Sequence, residues 1–478
     1  MTELQAVLPE AILTGLACLT LMVDVFRRPG AVALTFWSAV LSVLVVLIAV
    51  ATLFPPGMTT YFHGTFVLDP MAAVLKTFLL VVVLFSFFYA RDYLQRHGED
   101  QSVFFILALF ATLGMMVLIS AHSLLTIYLG LELLSLSLYA MVAMDRDSKA
   151  ASEAAMKYFV LGALASGMLL YGMSMLYGVS GTLDLSELAQ RTSGAEANLL
   201  FTFGLVFVLI GIAFKLGVAP FHMWVPDVYE GAPTPVTLFL GSAPKLAAFA
   251  MAIRVLADGL GGLHESWQDM LILLAVLSMA IGNIVAIAQT NIKRMLAYST
   301  ISHMGFLLLG IIAANAIGYA ASMFYVIVYA ITSMGAFAAI ILLSSAGHES
   351  DQLSDFTGLA KRSPWMAFIM LVLMFSLAGV PPFAGFWAKW FVLKELVGAG
   401  EAWLAAVAVF FSLIGAYYYL RVIKLMYFDE PTGALPALTG SEDARLVFSV
   451  NGLAVLVLGF LPGTLMSVCL GAMLVGTG

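Results

Sequence analysis

Long runs of apolar residues, repeated along the whole chain, are the feature that most restricts how this sequence can fold. Hydrophobic residues make up 62 % of it and charged residues 10 %, whereas globular domains average about 45–50 % and about 25 %. A soluble interior cannot enclose so much apolar side chain, so the bilayer must be the solvent for most of the chain. This excludes a soluble enzyme, a nucleic-acid-binding protein and a disordered scaffold. The net charge of −7 also leaves no basic tail for DNA or RNA.

The apolar runs are long enough to be membrane-spanning helices. A helix needs about 20 apolar residues to cross a hydrocarbon core of about 30 Å, and a helix satisfies its own backbone polar groups in lipid. The sequence therefore predicts an all-α membrane protein with fourteen transmembrane spans. Their predicted ranges are 6–26, 30–54, 67–90, 102–120, 122–144, 152–178, 198–222, 235–257, 268–289, 293–314, 316–346, 363–397, 401–428 and 445–472.

Lysine and arginine are distributed unequally between the loops that join these spans. The loops after even-numbered spans hold only Arg191. Those after odd-numbered spans hold Arg27, Arg28, Arg91, Arg96, Arg146, Lys149, Lys293, Arg294, Lys361, Arg362 and Arg445. Because short loops rich in lysine and arginine stay in the cytoplasm, the odd-to-even loops are predicted to be cytoplasmic. Both chain termini are then predicted to face the opposite, periplasmic side.

One short motif, Gly-Val-x-Pro-Phe, occurs twice within predicted spans. The copies are Gly217–Phe221 in span 7 and Gly379–Phe383 in span 12, which lie 162 residues and five spans apart. An odd number of spans inverts one copy relative to the other, and inverted repeats with a broken helix in each half are typical of transporters. An ordinary proline kink is the alternative at each copy. We predict an inverted five-helix repeat with two discontinuous helices, spans 7 and 12.

The repeat divides the chain into four parts. Residues 1–100 are predicted to form three N-terminal helices, 101–257 the first repeat (spans 4–8), 258–428 the second repeat (spans 9–13) and 429–478 a C-terminal helix.

A few ionisable side chains fall deep inside predicted spans. They are Glu132, Lys215, Lys245, His303 and Lys389. A charge at the centre of a membrane helix costs about 2.5–3.5 kcal/mol and is by default a functional hypothesis. A buried lysine gains or loses its proton as its partner moves, so Glu132 and Lys215 are a candidate switchable pair. Lys76, inside span 3, has no clear role by sequence.

Hydroxyl side chains accompany these charges at helical spacing. Glu132 shares a face with Tyr128, Ser135 and Tyr139, and span 10 places Ser299 one turn before His303. Span 11 carries Ser322, Tyr325, Tyr329, Thr332 and Ser333. Hydroxyls alone often only bind membrane helices together, but beside buried lysines they indicate a path for protons or cations. No CxxC, HxxxH or HExxH motif occurs, so we expect no metal or redox cofactor on this chain.

Three segments resemble a known superfamily. They are Phe214–Thr237, Asn291–Gly305 and Gly379–Lys389, and the similarity extends over spans 4 to 13. They resemble the antiporter-like membrane subunits of respiratory complex I, the NADH-quinone oxidoreductase, and related subunits of multi-subunit Na⁺/H⁺ antiporters. The Pro-Asp-Val-Tyr-Glu-Gly-Ala-Pro-Thr-Pro-Val run, residues 226–236, is more similar to the respiratory form.

The resemblance implies a site and a setting. It implies that Glu132 modulates Lys215, that Lys245 is the central relay, that Lys389 is the exit-side lysine and that His303 lies between the last two. It implies a subunit of an H⁺-translocating enzyme in the bacterial inner membrane, in contact with other membrane subunits, including a neighbouring antiporter-like subunit. FMN, iron–sulfur clusters and quinone are expected in partner subunits. A component of a Na⁺/H⁺ antiporter without redox activity, and a structural spacer, are the alternatives.

Overall fold

The computed structural model describes residues 2–28, 31–97, 101–192, 199–345, 347–430 and 440–474. In these ranges thirteen helices are long and apolar enough to cross a membrane, which confirms a multi-pass membrane protein. The helices are α1 (Glu3–Ala6), α2 (Leu8–Phe26), α3 (Val32–Thr52), α4 (Pro70–Arg96), α5 (Gln101–Ile119), α6 (Leu124–Val142), α7 (Lys149–Ser180), α8 (Leu185–Thr192), α9 (Leu199–Leu216), α10 (Trp224–Gly231), α11 (Thr234–Ile253), α12 (His264–Ile287), α13 (Ile292–Ile312), α14 (Ala316–Leu343), α15 (Leu359–Arg362), α16 (Pro364–Ala378), α17 (Ala384–Gly398), α18 (Ala402–Tyr427), α19 (Glu442–Phe460) and α20 (Pro462–Leu474). A π-helical turn, Arg254–Gly259, continues α11, and short 3₁₀ turns cover Gly261–Leu263 and Leu353–Phe356.

The observed helices divide two of the predicted spans, and a β-hairpin occurs that the sequence did not predict. The predicted span 363–397 contains two shorter helices, α16 and α17, and the predicted span 445–472 is divided between α19 and α20 at Leu461. Leu461 precedes Pro462, and the residue before a proline is biased away from the helical conformation. A small antiparallel hairpin, β1 (Thr59–Tyr61) and β2 (Phe66–Leu68), is the departure from all-helical structure, and it follows α3.

Three helices form the centre of the bundle. The apolar windows of α11, α13 and α14 are 94–100 % buried, whereas those of α7, α18 and α19 are 33 % buried. A helix whose apolar window is almost fully buried lies in the interior of the bundle, whereas one that is only one-third buried leaves most of its apolar surface to lipid or to a partner. The central three helices carry Lys245, His303 and the hydroxyl series of span 11, so the fold places these polar groups away from lipid.

The two copies of the repeated motif end their helices in the same way. After α9, Gly217 has a φ of +79°, and the Val218 amide donates to the Ala213 carbonyl at 3.0 Å. After α16, Gly379 has a φ of +83°, and the Val380 amide donates to the Phe375 carbonyl at 3.1 Å. This is the Schellman pattern, in which a left-handed glycine closes the last helical turn. The peptide bond before the motif's proline is cis in both copies.

Ion pairs join the loops that carry most of the lysine and arginine. Arg294, at the start of α13, contacts Asp227 at 2.9 Å and Glu230 at 2.7 Å, both on α10, and Lys157 on α7 also pairs with Asp227. Glu349 accepts hydrogen bonds from Tyr93 and Thr234 and lies 3.5 Å from Lys293. Burial raises the pKa of Glu349, but the Lys293 ammonium and the two hydroxyls lower it, and the net pKa is below its ordinary value.

We predict that Gly217→Ala destabilises the chain. A left-handed residue other than glycine costs about 1–2 kcal/mol, and the added methyl group would lie 2.7 Å from Cγ2 of Val225. Gly178→Ala in α7 is the matched control, because its added methyl group meets no atom within 4 Å. The measurement is the thermal denaturation temperature of the detergent-solubilised protein. Equal temperatures for the two variants would contradict the prediction.

Candidate functional site

The first part of the site lies between α6, α7 and α9. Ser166 donates a hydrogen bond to Oε1 of Glu132 at 2.5 Å. Lys215, which is 7 % exposed, donates from Nζ to Oγ of Ser135 at 2.8 Å. Ser135 lies three residues after Glu132 on α6, so the two side chains follow one another along the same helical face. A small cavity next to Ser135, Ser166 and Lys215 has room for about one water molecule.

The expected pair of Glu132 and Lys215 is therefore indirect. No ion pair within 4.0 Å joins them in the described part of the chain, and the Ser135 hydroxyl is the group that contacts the lysine. Glu132 is half-buried, while Lys215 is buried. The geometry brings the two residues to neighbouring sites, linked through a serine and a small cavity.

Lys245 belongs to α11, but its side chain reaches the C-terminal end of α9. The side chain is buried, and its Nζ donates to the Leu216 carbonyl at 2.9 Å, with the Trp224 ring centroid 5.6 Å away. The last carbonyls of a helix have no intrahelical partner, and the helix dipole makes that end negative. An ammonium group donates a hydrogen bond to such a carbonyl, and its positive charge is attracted by the negative end of the helix. Because Leu216 follows Lys215 in the chain, the Lys245 ammonium binds the carbonyl of the residue next to Lys215.

Lys389 has the same relation to the second copy of the motif. Its Nζ donates to the Ala378 carbonyl at 2.9 Å and to Oγ of Ser412 at 2.9 Å, and it lies 4.9 Å from the centroid of the Phe306 ring. Ala378 precedes Gly379 as Leu216 precedes Gly217. The two lysines thus bind equivalent carbonyls in the two copies, although Lys245 lies on α11 and Lys389 on α17.

His303 connects α13 to two other helices. Its Nδ1 lies 2.7 Å from the Tyr325 hydroxyl and its Nε2 lies 3.0 Å from the Tyr419 hydroxyl, which in turn lies 2.5 Å from Oγ of Ser299. A second small cavity begins at His303 and Tyr325 and reaches Ser376 beside the second break. The hydroxyl rows that the sequence indicated on spans 10 and 11 therefore meet at the histidine.

In the part of the chain that the structure describes, no hydrogen bond or ion pair joins any two of the five predicted residues directly, and serines, tyrosines and backbone carbonyls are their partners. In the described ranges no hydrogen bond joins Lys245 to His303, and the buried Tyr229 hydroxyl has no protein partner. Each of the three lysines is held by carbonyl or hydroxyl oxygens and not by a carboxylate. Burial without an opposite charge disfavours the ammonium form, so the protonation of such lysines responds to small movements of charge. The arrangement can pass protons where water bridges its gaps.

Sequence reasoning missed several partners. Ser166, Ser412 and Tyr419 come from helices without a deep charge, and single hydroxyls in apolar spans give no pattern that separates a partner from helix packing. It also left Lys76 without a role. The structure pairs Lys76 with Glu10 at 2.5 Å, and both side chains are buried between α2 and α4.

The chain matches a known family of transmembrane proteins over most of its length. The family described as NADH:quinone oxidoreductase/Mrp antiporter, TM, matches residues 121–415, a range that includes all five site residues. A chain of the Mrp complex from Dietzia sp. DQ12-45-1b has a TM-score of 0.86 at 22 % identity, with 99 % of this chain and 97 % of that chain covered. At that identity the likeness shows the fold alone. The chain is thus a member of the antiporter-like transmembrane class.

Relatives of higher sequence identity are subunits of NADH-quinone oxidoreductase. NADH-quinone oxidoreductase subunit N of Thiobacillus denitrificans is 57 % identical over 97 % of this chain and 96 % of the relative. A chain of the respiratory complex I from Thermus thermophilus with bound aureothin is 33 % identical with a TM-score of 0.84, over 97 % of this chain and 100 % of that chain. The chain belongs to the family of NADH-quinone oxidoreductase subunit N. This confirms what residues 226–236 indicated and leaves the separate antiporter less supported.

The Glu10–Lys76 pair generates a stability prediction. Removing one partner of a buried ion pair leaves an uncompensated charge and costs about 3–5 kcal/mol, whereas replacing both partners by apolar groups is often neutral. We expect Glu10→Leu to lower strongly the amount of the chain in membranes and its thermal stability, and the double variant Glu10→Leu, Lys76→Met to recover both. A double variant that is less stable than Glu10→Leu alone would contradict this.

Proposed function

We propose that this chain is a proton-translocating membrane subunit of NADH-quinone oxidoreductase. One observation carries the proposal. Two helices end with the same left-handed glycine, and a buried lysine donates to the terminal carbonyl of each, Lys245 to Leu216 and Lys389 to Ala378. Buried ionisable groups at membrane depth mark ion or proton paths, and here they coincide with irregular backbone, where transporters place their ion sites.

The same observation supports the inverted repeat. We propose that α9 with α10 forms one discontinuous transmembrane helix and that α16 with α17 forms the other. The two motif copies share their hydrogen bonds and φ signs, and they lie in predicted spans 7 and 12, an odd number of spans apart. Spans 4–8 and spans 9–13 are then two halves of opposite orientation, each with one broken helix and one buried lysine at the break.

The first proposed step is control of Lys215 by Glu132. A negative Glu132 stabilises the ammonium of Lys215, and loss or movement of that charge favours release of the proton toward Lys245. Ser135 is suited to the task because its hydroxyl accepts from Lys215 while it donates to the Leu131 carbonyl at 2.5 Å. It holds the lysine near Glu132 without fixing it in an ion pair.

The later steps run through the centre of the bundle. We propose that Lys245 is the central relay, that His303 receives the proton through water, and that Lys389 passes it on at the exit side. A histidine is suited to a relay because it accepts and donates through two nitrogens, and both nitrogens of His303 have a tyrosine hydroxyl within reach. Ser412 gives Lys389 a second oxygen partner that faces away from the break.

The energy must be supplied by partner subunits. Moving one charge against 100 mV takes about 2.3 kcal/mol, and we propose that no cofactor binds this chain. FMN, the iron–sulfur clusters and the quinone are proposed to bind elsewhere in the assembly. We propose contacts with other membrane subunits, among them a neighbouring antiporter-like subunit, with protons as the transported species.

We further propose that the chain lies in the bacterial inner membrane with both termini in the periplasm. Lys293 and Arg294, which form ion pairs with Glu349, Asp227 and Glu230, belong to the set of loops with the excess of positive charge, which favours the cytoplasmic side. The end of the bundle near Arg254 and Asp69 is then periplasmic.

The role of Lys215 gives a direct prediction. We expect Lys215→Met to lower NADH-driven proton uptake by inverted vesicles, and the coupled quinone reduction, by about tenfold, because a positioned proton carrier is lost. Lys394→Met is the matched control, since its side chain is 66 % exposed and its partner is the adjacent Glu395. Both variants should assemble as the unmodified protein does. Unchanged proton uptake in Lys215→Met would refute the assignment.

A separate experiment tests the enzyme to which the chain belongs. Detergent-solubilised membranes are run on a native gel, stained for NADH oxidation and analysed by mass spectrometry for this chain. We expect the chain in a large NADH-oxidising assembly. Its presence only in a smaller assembly without that activity would favour the antiporter, and Na⁺-dependent proton flux would then be measured.

A further inference from the structure

A second group of buried charges lies at the end of the bundle opposite the Arg294 ion pairs. Asp69, the residue that precedes α4, binds Arg254 through two contacts of 2.7 and 2.9 Å. Arg254 also contacts Asp258 at 3.1 Å, one turn further along the π-helical turn. Two carboxylates share one guanidinium, so the group has one negative charge in excess. None of the proposed translocation steps uses these residues.

This group lines the wall of a cavity of about 290 Å³ between α4, α11, α14 and α20. Asp258 and Tyr319 are the wall residues whose polar atoms are not fully used. The second carboxylate oxygen of Asp258 and the Tyr319 hydroxyl form no hydrogen bond with any described residue, although Tyr319 is 9 % exposed. The Asp258 side chain is 22 % exposed and lines the cavity. Since the cavity has room for several waters, water can bind both groups.

Tyr319 also begins a polar row that leads to the interior site. Tyr319, Ser322 and Tyr325 follow one another on α14 at intervals of three residues, and Tyr325 contacts Nδ1 of His303 at 2.7 Å. Six residues of helix span about 9 Å. The row therefore joins the cavity to the tyrosine that contacts the histidine of the proposed relay.

We propose that this cavity is a proton-release vestibule and that Asp258 is its proton acceptor, an inference that rests on the proposed function. The proton that Lys389 passes on enters the row at Tyr325, since the Phe306 ring lies against both residues. It then moves by way of water beside Ser322 and Tyr319 and protonates the free oxygen of Asp258. The carboxylic acid then returns the proton to water at the cavity mouth. No electron moves. Arg254 and Asp69 are positioning residues, because they fix the carboxylate without taking part in the transfer.

A structural clamp alone does not need Asp258. The two contacts between Arg254 and Asp69 already neutralise the guanidinium and join α4 to the end of α11. Asp258 is a third ionisable group on the cavity side, and one of its carboxylate oxygens has no partner among the described residues. π-helical turns are rare and occur often at functional sites, and here one contains both Arg254 and Asp258.

The test uses Asp258→Asn in the assembled complex. Asp269→Asn is the matched control, because Asp269 is exposed at the start of α12 on the same side of the bundle. We expect Asp258→Asn to lower NADH-driven proton uptake by inverted vesicles about tenfold with the complex still assembled, and Asp269→Asn to leave it unchanged. Tyr319→Phe should give a smaller loss. Normal uptake in Asp258→Asn overturns the proposal.

Chemical rescue separates proton transfer from a structural role. Formate enters the lumen of the vesicles as formic acid and supplies a free carboxylate in the cavity of Asp258→Ala. We expect formate to restore proton uptake in Asp258→Ala but to have no effect on Asp269→Asn or on Lys215→Met, and Asp258→Glu to retain activity. Failure of both the formate rescue and Asp258→Glu overturns the proposal in favour of a structural clamp.

The outcome is distinguishable from failure of the proposed function. If Lys215→Met abolishes proton uptake while Asp258→Asn does not, only the vestibule is wrong. If Lys215→Met also pumps normally, the translocation role itself is wrong, and the vestibule is overturned with it.

Discussion

In lipid, a backbone carbonyl or amide without a partner costs several kilocalories per mole, and this constraint determines where the chain can place its lysines. The helices α9 and α16 end inside the bundle, so each leaves carbonyls that the helix itself cannot satisfy. Lys245 and Lys389 donate to them. An ammonium that donates to these carbonyls is also a buried ionisable group. The same two contacts therefore stabilise the two helix ends and create the ionisable interior on which the proposed function depends.

The chain uses two kinds of buried charge, and their partners distinguish them. Lys76 with Glu10, and Arg254 with Asp69, are held at 2.5–2.7 Å by carboxylates, an arrangement that fixes charge and joins helices. Lys215, Lys245 and Lys389 have carbonyls, hydroxyls and aromatic rings as neighbours. These oxygens accept a hydrogen bond from an ammonium but do not neutralise it. A lysine of the second kind stays sensitive to a charge nearby, as a relay requires, whereas one of the first kind does not.

The sequence predicted the helices and the deep charges because lipid imposes a simple rule on them. A span needs a long apolar run, and any charge within it stands out, so Glu132, Lys215, Lys245, His303 and Lys389 were visible without a structure. The partners were not visible. Ser135 was expected on the face of Glu132, but its place between Glu132 and Lys215 depends on how α6 and α9 pack. The pairing of Lys76 with Glu10, and the equivalence of Lys245 and Lys389, likewise arise from tertiary packing.

Residues 226–236, the segment that resembles the respiratory form more than the antiporters, begin within α10, which contacts both the outside and the inside of the bundle. Asp227 and Glu230 lie in the residue 226–236 run, and they bind α10 to α13 and α7 from outside through Arg294 and Lys157. On the inner side the same short helix begins with Trp224, whose ring lies under Lys245. One helix of eight residues therefore contacts both the charged surface and the ammonium of Lys245. Because α10 carries both sets of contacts, any displacement of this helix changes the surface ion pairs and the surroundings of Lys245 together.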